Sequence, residues 1–185
     1  MKNIIIALVG LCGSGKSVAA EYFVNEDYHV IHFGGITMDE MKKQNLAVCE
    51  ENERQVREEL RNSYGMGAYA TLSIPKIDAL LKDEKKVLID GLYSFTEYKI
   101  LKEKYKDGLM VIAIYTPKAI RYKRLSERAV RPLTPQKAME RDFAEIDNIE
   151  KGGPIAIADH TVINTGSKEQ LFKSLEEIMG EQEHV

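Results

Sequence analysis

Residues 6–23, "IALVGLCGSGKSVAAEYF", constrain this chain more than any other stretch. An apolar run stops at Gly10, further glycines follow at Gly13 and Gly15, and a helix-forming segment begins at Lys16. A nearly continuous apolar run bounded by glycine reads as a strand covered on both faces. A strand that turns straight into a helix lays that helix back over a sheet, which commits the chain to a layered α/β fold.

The rest of the sequence repeats the pattern. "IIIALV" (4–9) is joined by "HVIHF" (29–33), "KVLID" (86–90), "LMVIAIYT" (109–116) and "HTVIN" (160–164), five β-rich runs in all. Helical periodicity falls between them, at about 15–24, 36–46, 50–63, 67–82, 95–105, 117–129, 134–149 and 168–180. Alternation of this kind predicts a parallel five-stranded sheet flanked by helices. Pro75 predicts a kink or restart in the fourth helical segment, and "KGGP" (151–154) a break before the last strand. No repeat, low-complexity tract or linker interrupts the chain, so residues 1–185 read as one domain. Two connections are long: an insertion at about 34–85, and the segment after the fourth strand, with an arginine-rich part at about 121–142. Segments that follow strand C-termini overhang the ligand crevice of an open α/β sheet.

Composition excludes several classes. A net charge of -3 disfavours nucleic acid as a partner. Cys12 and Cys49 fit neither a disulfide framework nor metal-ligand spacing, which reads as free thiols in a reducing cytoplasm. "NIIIALVGLC" after Lys2 has the look of a secretion signal but runs into Gly-Ser-Gly-Lys-Ser without a small-residue cleavage site. No segment approaches the roughly 20 apolar residues of a membrane span, so no membrane partner is expected.

Gly10 to Ser17 satisfies G-x-x-x-x-G-K-[ST] in full, between a strand and a helix. Glycines let the backbone wrap closely and aim successive N–H groups at phosphate oxygens, and the helix adds its N-terminal dipole. The pattern makes Gly10, Cys12, Gly13, Ser14, Gly15, Lys16, Ser17 and Val18 the nucleotide-binding candidates. Lys16 neutralises the outer phosphates, and the Ser17 hydroxyl is a ligand for Mg²⁺. A dinucleotide fingerprint fails on spacing, because Cys12 or Val18 stands where a glycine is required. Cys12 itself is read as a small space-filler.

Asp90 ends the third apolar run, where a carboxylate can reach the Mg²⁺ shell. Gly91 follows it rather than glutamate, so the paired acidic ending of hydrolytic motors is missing and a transferase is favoured. Arg121, Arg124 and Arg128 recur on one helical face, with Arg131 just beyond. Guanidinium groups stabilise the charge of a phosphoryl in transfer, and Arg124, Arg128 and Arg131 are taken as lid candidates. The alternative is a solvated salt-bridge face with Glu127, Glu140 and Glu145. Arg57 and Arg61 are acceptor-anchoring candidates in the first insertion, again with ordinary ion pairing as the alternative. Asp39 and Glu40 read as a solvated helix face, and His29, His32, His160 and His184 as structural or exposed.

"LIDGLYSFTE" (88–97), the arginine-rich run 121–131, "ERD" (140–142) and "ADHTVINTGS" (158–167), together with the glycine motif, resemble the P-loop kinases related to dephospho-CoA kinase and adenylate kinase. They are most similar to an archaeal branch of that group whose substrate is poorly established. The resemblance implies a three-layer P-loop NTPase fold with strand order 2-3-1-4-5, ATP as co-substrate with Mg²⁺, and Asn164, Thr165 and Gly166 beside the adenine. Relatives carry an acidic residue and then an arginine after the second strand; this chain has Gly35 and Met38 at those places. The expected activity is transfer of the γ-phosphoryl of ATP to a nucleotide-like acceptor, such as dephospho-CoA or a (deoxy)nucleoside monophosphate. The alternative is a nucleotide-dependent binding or regulatory protein. Either a monomer or a homodimer is compatible with the sequence.

Overall fold

The structure is a computed structural model that describes residues 5–183; Lys2, Ile4 and His184 of the sequence reading lie outside it. In chain order the strands are β1 (Ile5–Val9), β2 (His29–His32), β3 (Val87–Asp90), β4 (Leu109–Tyr115) and β5 (His160–Ile163). The helices are α1 (Lys16–Asn25), α2 (Phe33–Lys43), α3 (Glu50–Tyr64), α4 (Ala68–Lys82), α5 (Phe95–Tyr105), α6 (Lys118–Glu127), α7 (Pro135–Asp147), α8 (Gly152–Ala156) and α9 (Lys168–Glu183). The five strands pair in parallel in the order 2-3-1-4-5, with β1 central.

The period of two along β1 divides the core. Ile5, Ala7 and Val9 face one layer with Phe33, Met41, Val56, Leu60, Tyr69, Ile77 and Leu101, drawn from α2, α3, α4 and α5. Ile6 and Leu8 face the other with Ala19, Phe23, Leu171 and Leu175 of α1 and α9. Every β1 residue is buried, which is why the run lacks polar alternation. Parallel strands and their helices leave the ligand edge at the strand C-termini, where the glycine loop, Asp90 and the segment after β4 emerge.

Three local expectations are corrected. α4 runs unbroken through Pro75 instead of restarting, because Pro75 and Thr71, whose carbonyl loses its partner, are both exposed and water can serve it. "KGGP" is no plain break: Gly152–Ala156 form a short helix against α5 and β4. α2 starts at Phe33, directly on the end of β2, because Phe33 is buried in the core from the first helical residue. Among the described residues no helix is long and apolar enough to cross a membrane.

Candidate functional site

The glycine loop leaves β1 and enters α1 through backbone that only glycine accepts readily. Gly10, Gly13 and Gly15 have φ of 152°, 81° and 98°. A Cβ on Gly15 would lie 2.1 Å from Asn164 Nδ2, so the loop and the end of β5 touch there through the missing side chain. No side chain caps α1. The first amides of α1, from Lys16 to Val18, therefore present an uncapped helix terminus to the loop. The Lys16 ammonium donates to Gly10 O at 2.6 Å and Leu11 O at 3.3 Å. Burial, then the Lys151 ammonium, push its pKa down to about 8, against the pull of Glu145 and Asp90.

A second layer of groups fixes that loop. Asn164 Nδ2 donates to Ser14 O at 2.8 Å. The Thr116 hydroxyl lies 3.0 Å from Ser14 O and 2.8 Å from Asn164 O. Arg124 donates to Asn164 O at 3.2 Å and to Thr116 Oγ1 at 3.4 Å, which brings it to the loop. Thr165 and Gly166 are exposed beyond Asn164, while Val18 packs its side chain toward the α9 side of the sheet.

Arg121, on the same helical face as Arg124 and Arg128, is fixed in place. It is buried, and its guanidinium holds both Asp142 oxygens, at 2.8 and 2.6 Å, and Cys12 O at 3.0 Å. It is a fixed strut between α6, α7 and the loop. Arg128 turns back on the Arg131 carbonyl. Arg131, at φ 51°, reaches Glu53 of α3 at 3.3 Å, joining the segment after α6 to the insertion between β2 and β3. Arg128 and Arg131 bond the 128–131 segment and α3 rather than the glycine loop, whereas Arg124 is brought to it.

Asp90 stands at the tip of β3, paired in register with Leu8 of β1 and His32 of β2. His32 Nδ1 lies 3.0 Å from its Oδ2, on an imidazole that is exposed, as the sequence reading had it. Two residues from adjacent parallel strands meet only once the register is known, so no spacing in the sequence could reveal the pair. Ser17 is exposed in the first turn of α1. A hydroxyl and a carboxylate are the hard oxygen donors that Mg²⁺ takes, so Ser17 and Asp90 fit that ion.

The two acceptor-anchoring candidates differ in their surroundings. Arg57 is held by Glu50 at 2.8 Å and Glu53 at 3.5 Å, which favours ordinary ion pairing there. The Arg61 guanidinium lies 5.8 Å over the Tyr69 ring, and its buried Nε lacks a hydrogen-bond partner. Asp39 and Glu40 line a cavity of about 450 Å³ with Ile36, Leu60 and Leu72, none of them from the glycine loop.

Two buried groups escaped the sequence reading. Lys151 is 2% exposed, with its Nζ 2.9 Å from Glu145 Oε2. Glu145, read as one member of a solvated face, has a side chain only 12% exposed. Glu97 is wholly buried; its Oε2 accepts the Tyr93 and Ser94 N–H groups at 2.9 Å, and the Ser94 hydroxyl accepts the Glu97 N–H at 3.0 Å. That reciprocal cap starts α5, and "SFTE" carries its S-x-x-E signature in the sequence. Lys151 carries no comparable signal, because nothing local marks a lysine for burial.

Burial drives the Glu97 carboxyl up to about 7, against the two backbone donors. An acid raised in the folded state destabilises once it is forced to ionise, so this contribution is absent below about 4.5 and grows as pH rises to 7. Glu97→Gln is expected to remove about 3 kcal/mol of that dependence. Urea unfolding of wild type and variant at pH 5 and pH 8 measures it; an equal difference at both values refutes the assignment.

Comparisons with known proteins agree with this geometry. A family described as an AAA domain matches residues 6–145. A UPF0200 protein of Thermococcus gammatolerans is 33% identical over 178 residues, covering 95% of this chain and 93% of the relative. The shikimate kinase of Bacteroides thetaiotaomicron superposes with a TM-score of 0.60 at 12% identity, covering 96% of this chain and 98% of that one. The dephospho-CoA kinase of Campylobacter jejuni, at 19% identity and 96% coverage of this chain, gives 0.53. At such identities the superpositions speak for the fold alone, a P-loop kinase fold. The match over residues 6–145 and the near full-length Thermococcus relative together place this chain in the AAA-domain P-loop family as a UPF0200 protein.

Proposed function

We propose that the chain is an ATP- and Mg²⁺-dependent kinase that transfers the γ-phosphoryl group to a nucleotide or nucleotide-like acceptor, dephospho-CoA and (deoxy)nucleoside monophosphates foremost. The reading rests on one observation: three glycines at positive φ feed an uncapped helix terminus, with the Lys16 ammonium turned into the loop. Loop amides and Lys16 would grip the phosphates, and Ser17 and Asp90 would hold Mg²⁺, which supplies further charge neutralisation when bound. Arg124 would add a guanidinium from the loop side, and closure of the 128–131 segment would bring Arg128 and Arg131. Asn164, Thr165 and Gly166 would border the base, and Arg61 the acceptor. Rate acceleration would come from positioning and neutralised charge, without a covalent intermediate.

An ADP-release assay across those acceptors, with Lys16→Ala as the control, tests this. Turnover above the control with at least one acceptor is the expected result, and none above it with any acceptor defeats the transferase reading.

A nucleotide-dependent binding or regulatory protein is the second reading. Gly35 and Met38 stand where the resembled kinases carry an acidic residue and an arginine, and Arg57 and Arg131 both end on Glu53. Tight ATP binding without acceptor-stimulated turnover would favour it.

A further inference from the structure

Lys151 is the buried charge for which neither the fold nor the roles above account. An ammonium removed from water is costly unless paired. Its partner Glu145 is shared: Arg141 lies 3.3 Å from the other carboxylate oxygen, and the Lys16 charge also acts on it. Asp90 is the second carboxylate acting on Lys16. Lys16, Lys151 and Arg141 therefore share Glu145, with Asp90 acting on Lys16, Glu50 on Arg141, and Glu97, its carboxyl raised to about 7, near Lys151. Of the neighbouring arginines, Arg121 is matched by Asp142, and Arg57 and Arg131 by Glu50 and Glu53. Arg121 bonds both Asp142 and the Cys12 carbonyl, so α7, which carries Glu145 one turn further on, docks beside the glycine loop.

Position narrows what Lys151 is for. The Lys151 Nζ lies 5.0 Å from the Tyr93 ring, and its charge is felt by Glu97 on α5 as well as by Lys16. Tyr93 and Glu97 belong to the segment after β3, and Lys16 to the loop after β1. Lys151 thus stands between the phosphate loop and the next segment along the strand ends. Two ammonium groups within range of one another repel; an anion placed between them turns that repulsion into two attractions. In a nucleotide held by the loop, the outermost phosphate extends furthest toward the acceptor.

Resting on the nucleotide reading above, we propose that Lys151, tethered by Glu145, recognises the terminal phosphoryl group and so distinguishes a bound triphosphate from a diphosphate. The Glu145 carboxylate supplies the neutralising charge when no nucleotide is bound. With a triphosphate in place, Lys151 shares itself between that carboxylate and the outermost phosphate oxygens. A purely structural Lys151–Glu145 pair would pin α8 to α7 and would not separate the two nucleotides.

Calorimetric titration of the full chain with Mg·AMP-PNP and Mg·ADP tests this. Lys151→Met is expected to weaken AMP-PNP by about tenfold to a hundredfold, the usual range for one charge-assisted hydrogen bond, while leaving ADP within about threefold. Lys151→Arg restores most of the difference. Glu145→Gln removes the competing anion and raises the preference for AMP-PNP by a few-fold. It keeps the test decisive if Lys151→Met does not fold. Equal weakening of both nucleotides in folded Lys151→Met, or an unchanged preference in Glu145→Gln, overturns the assignment. If the wild-type chain binds neither nucleotide, the donor-site reading falls and takes this inference with it.

Discussion

Lys16→Ala is expected to lower affinity for a magnesium–nucleoside triphosphate at least about a hundredfold while leaving the unfolding midpoint unchanged or raised. The two halves have one cause. The loop turns the ammonium away from water toward two backbone carbonyls, and burial depresses its pKa to about 8. A base with a lowered folded pKa costs stability wherever it is still protonated, here below about pH 8, and the cost fades between 8 and 10.5. The depression corresponds to about 3 kcal/mol at pH 7, so deleting the ammonium relieves the fold even as it loses the stem's packing. Calorimetry and thermal melts of the same preparation measure both halves. A variant that melts far lower, or that binds as tightly as wild type, would refute this account of Lys16.

Asp142→Ala should show the opposite pattern, a large loss of stability. Arg121 and Asp142 have side chains only 6% and 8% exposed, and two hydrogen bonds join them. Removing the carboxylate strands a buried guanidinium, a change worth about 3–5 kcal/mol of destabilisation. For a chain of this size the melting temperature would drop by roughly 10 °C. The double variant Arg121→Met/Asp142→Leu should recover most of the loss, because neither charge then remains buried. Arg121 also holds the Cys12 carbonyl, so Asp142→Ala loosens the glycine loop and weakens nucleotide binding as a secondary effect. A loss below about 1 kcal/mol by urea unfolding would show the pair to be solvated rather than buried.

The parts of the molecule legible in the sequence were those governed by local rules. Gly10 to Ser17 announced the loop because glycine spacing is dictated by backbone geometry. The inner strands β1, β3 and β4 were readable because burial on both faces removes polar alternation, whereas the edge strands β2 and β5 are half-exposed and were read from their β-branched residues. α2 was misplaced by three residues because "FGGITM" opens with glycines that look like a turn, and the buried Phe33 outweighs them. Charge pairing was the least legible. Arg121 and Arg124 lie one helical turn apart and look equivalent, yet one is locked to Asp142 and the other turns to Asn164. The His32–Asp90 contact and the burial of Lys151 depend on sheet register and helix docking, and neither leaves a trace in residue spacing.

The bridge from Arg131 to Glu53 bears on traffic through the molecule. It joins the segment after α6 to α3 at 3.3 Å, with the arginine side chain 60% exposed and the glutamate 14%. Exposed pairs of that kind hold with no more than about 1 kcal/mol and weaken as salt is added. Such a latch yields to ordinary thermal agitation, so this bridge by itself sets no appreciable barrier to the arrival or escape of small molecules.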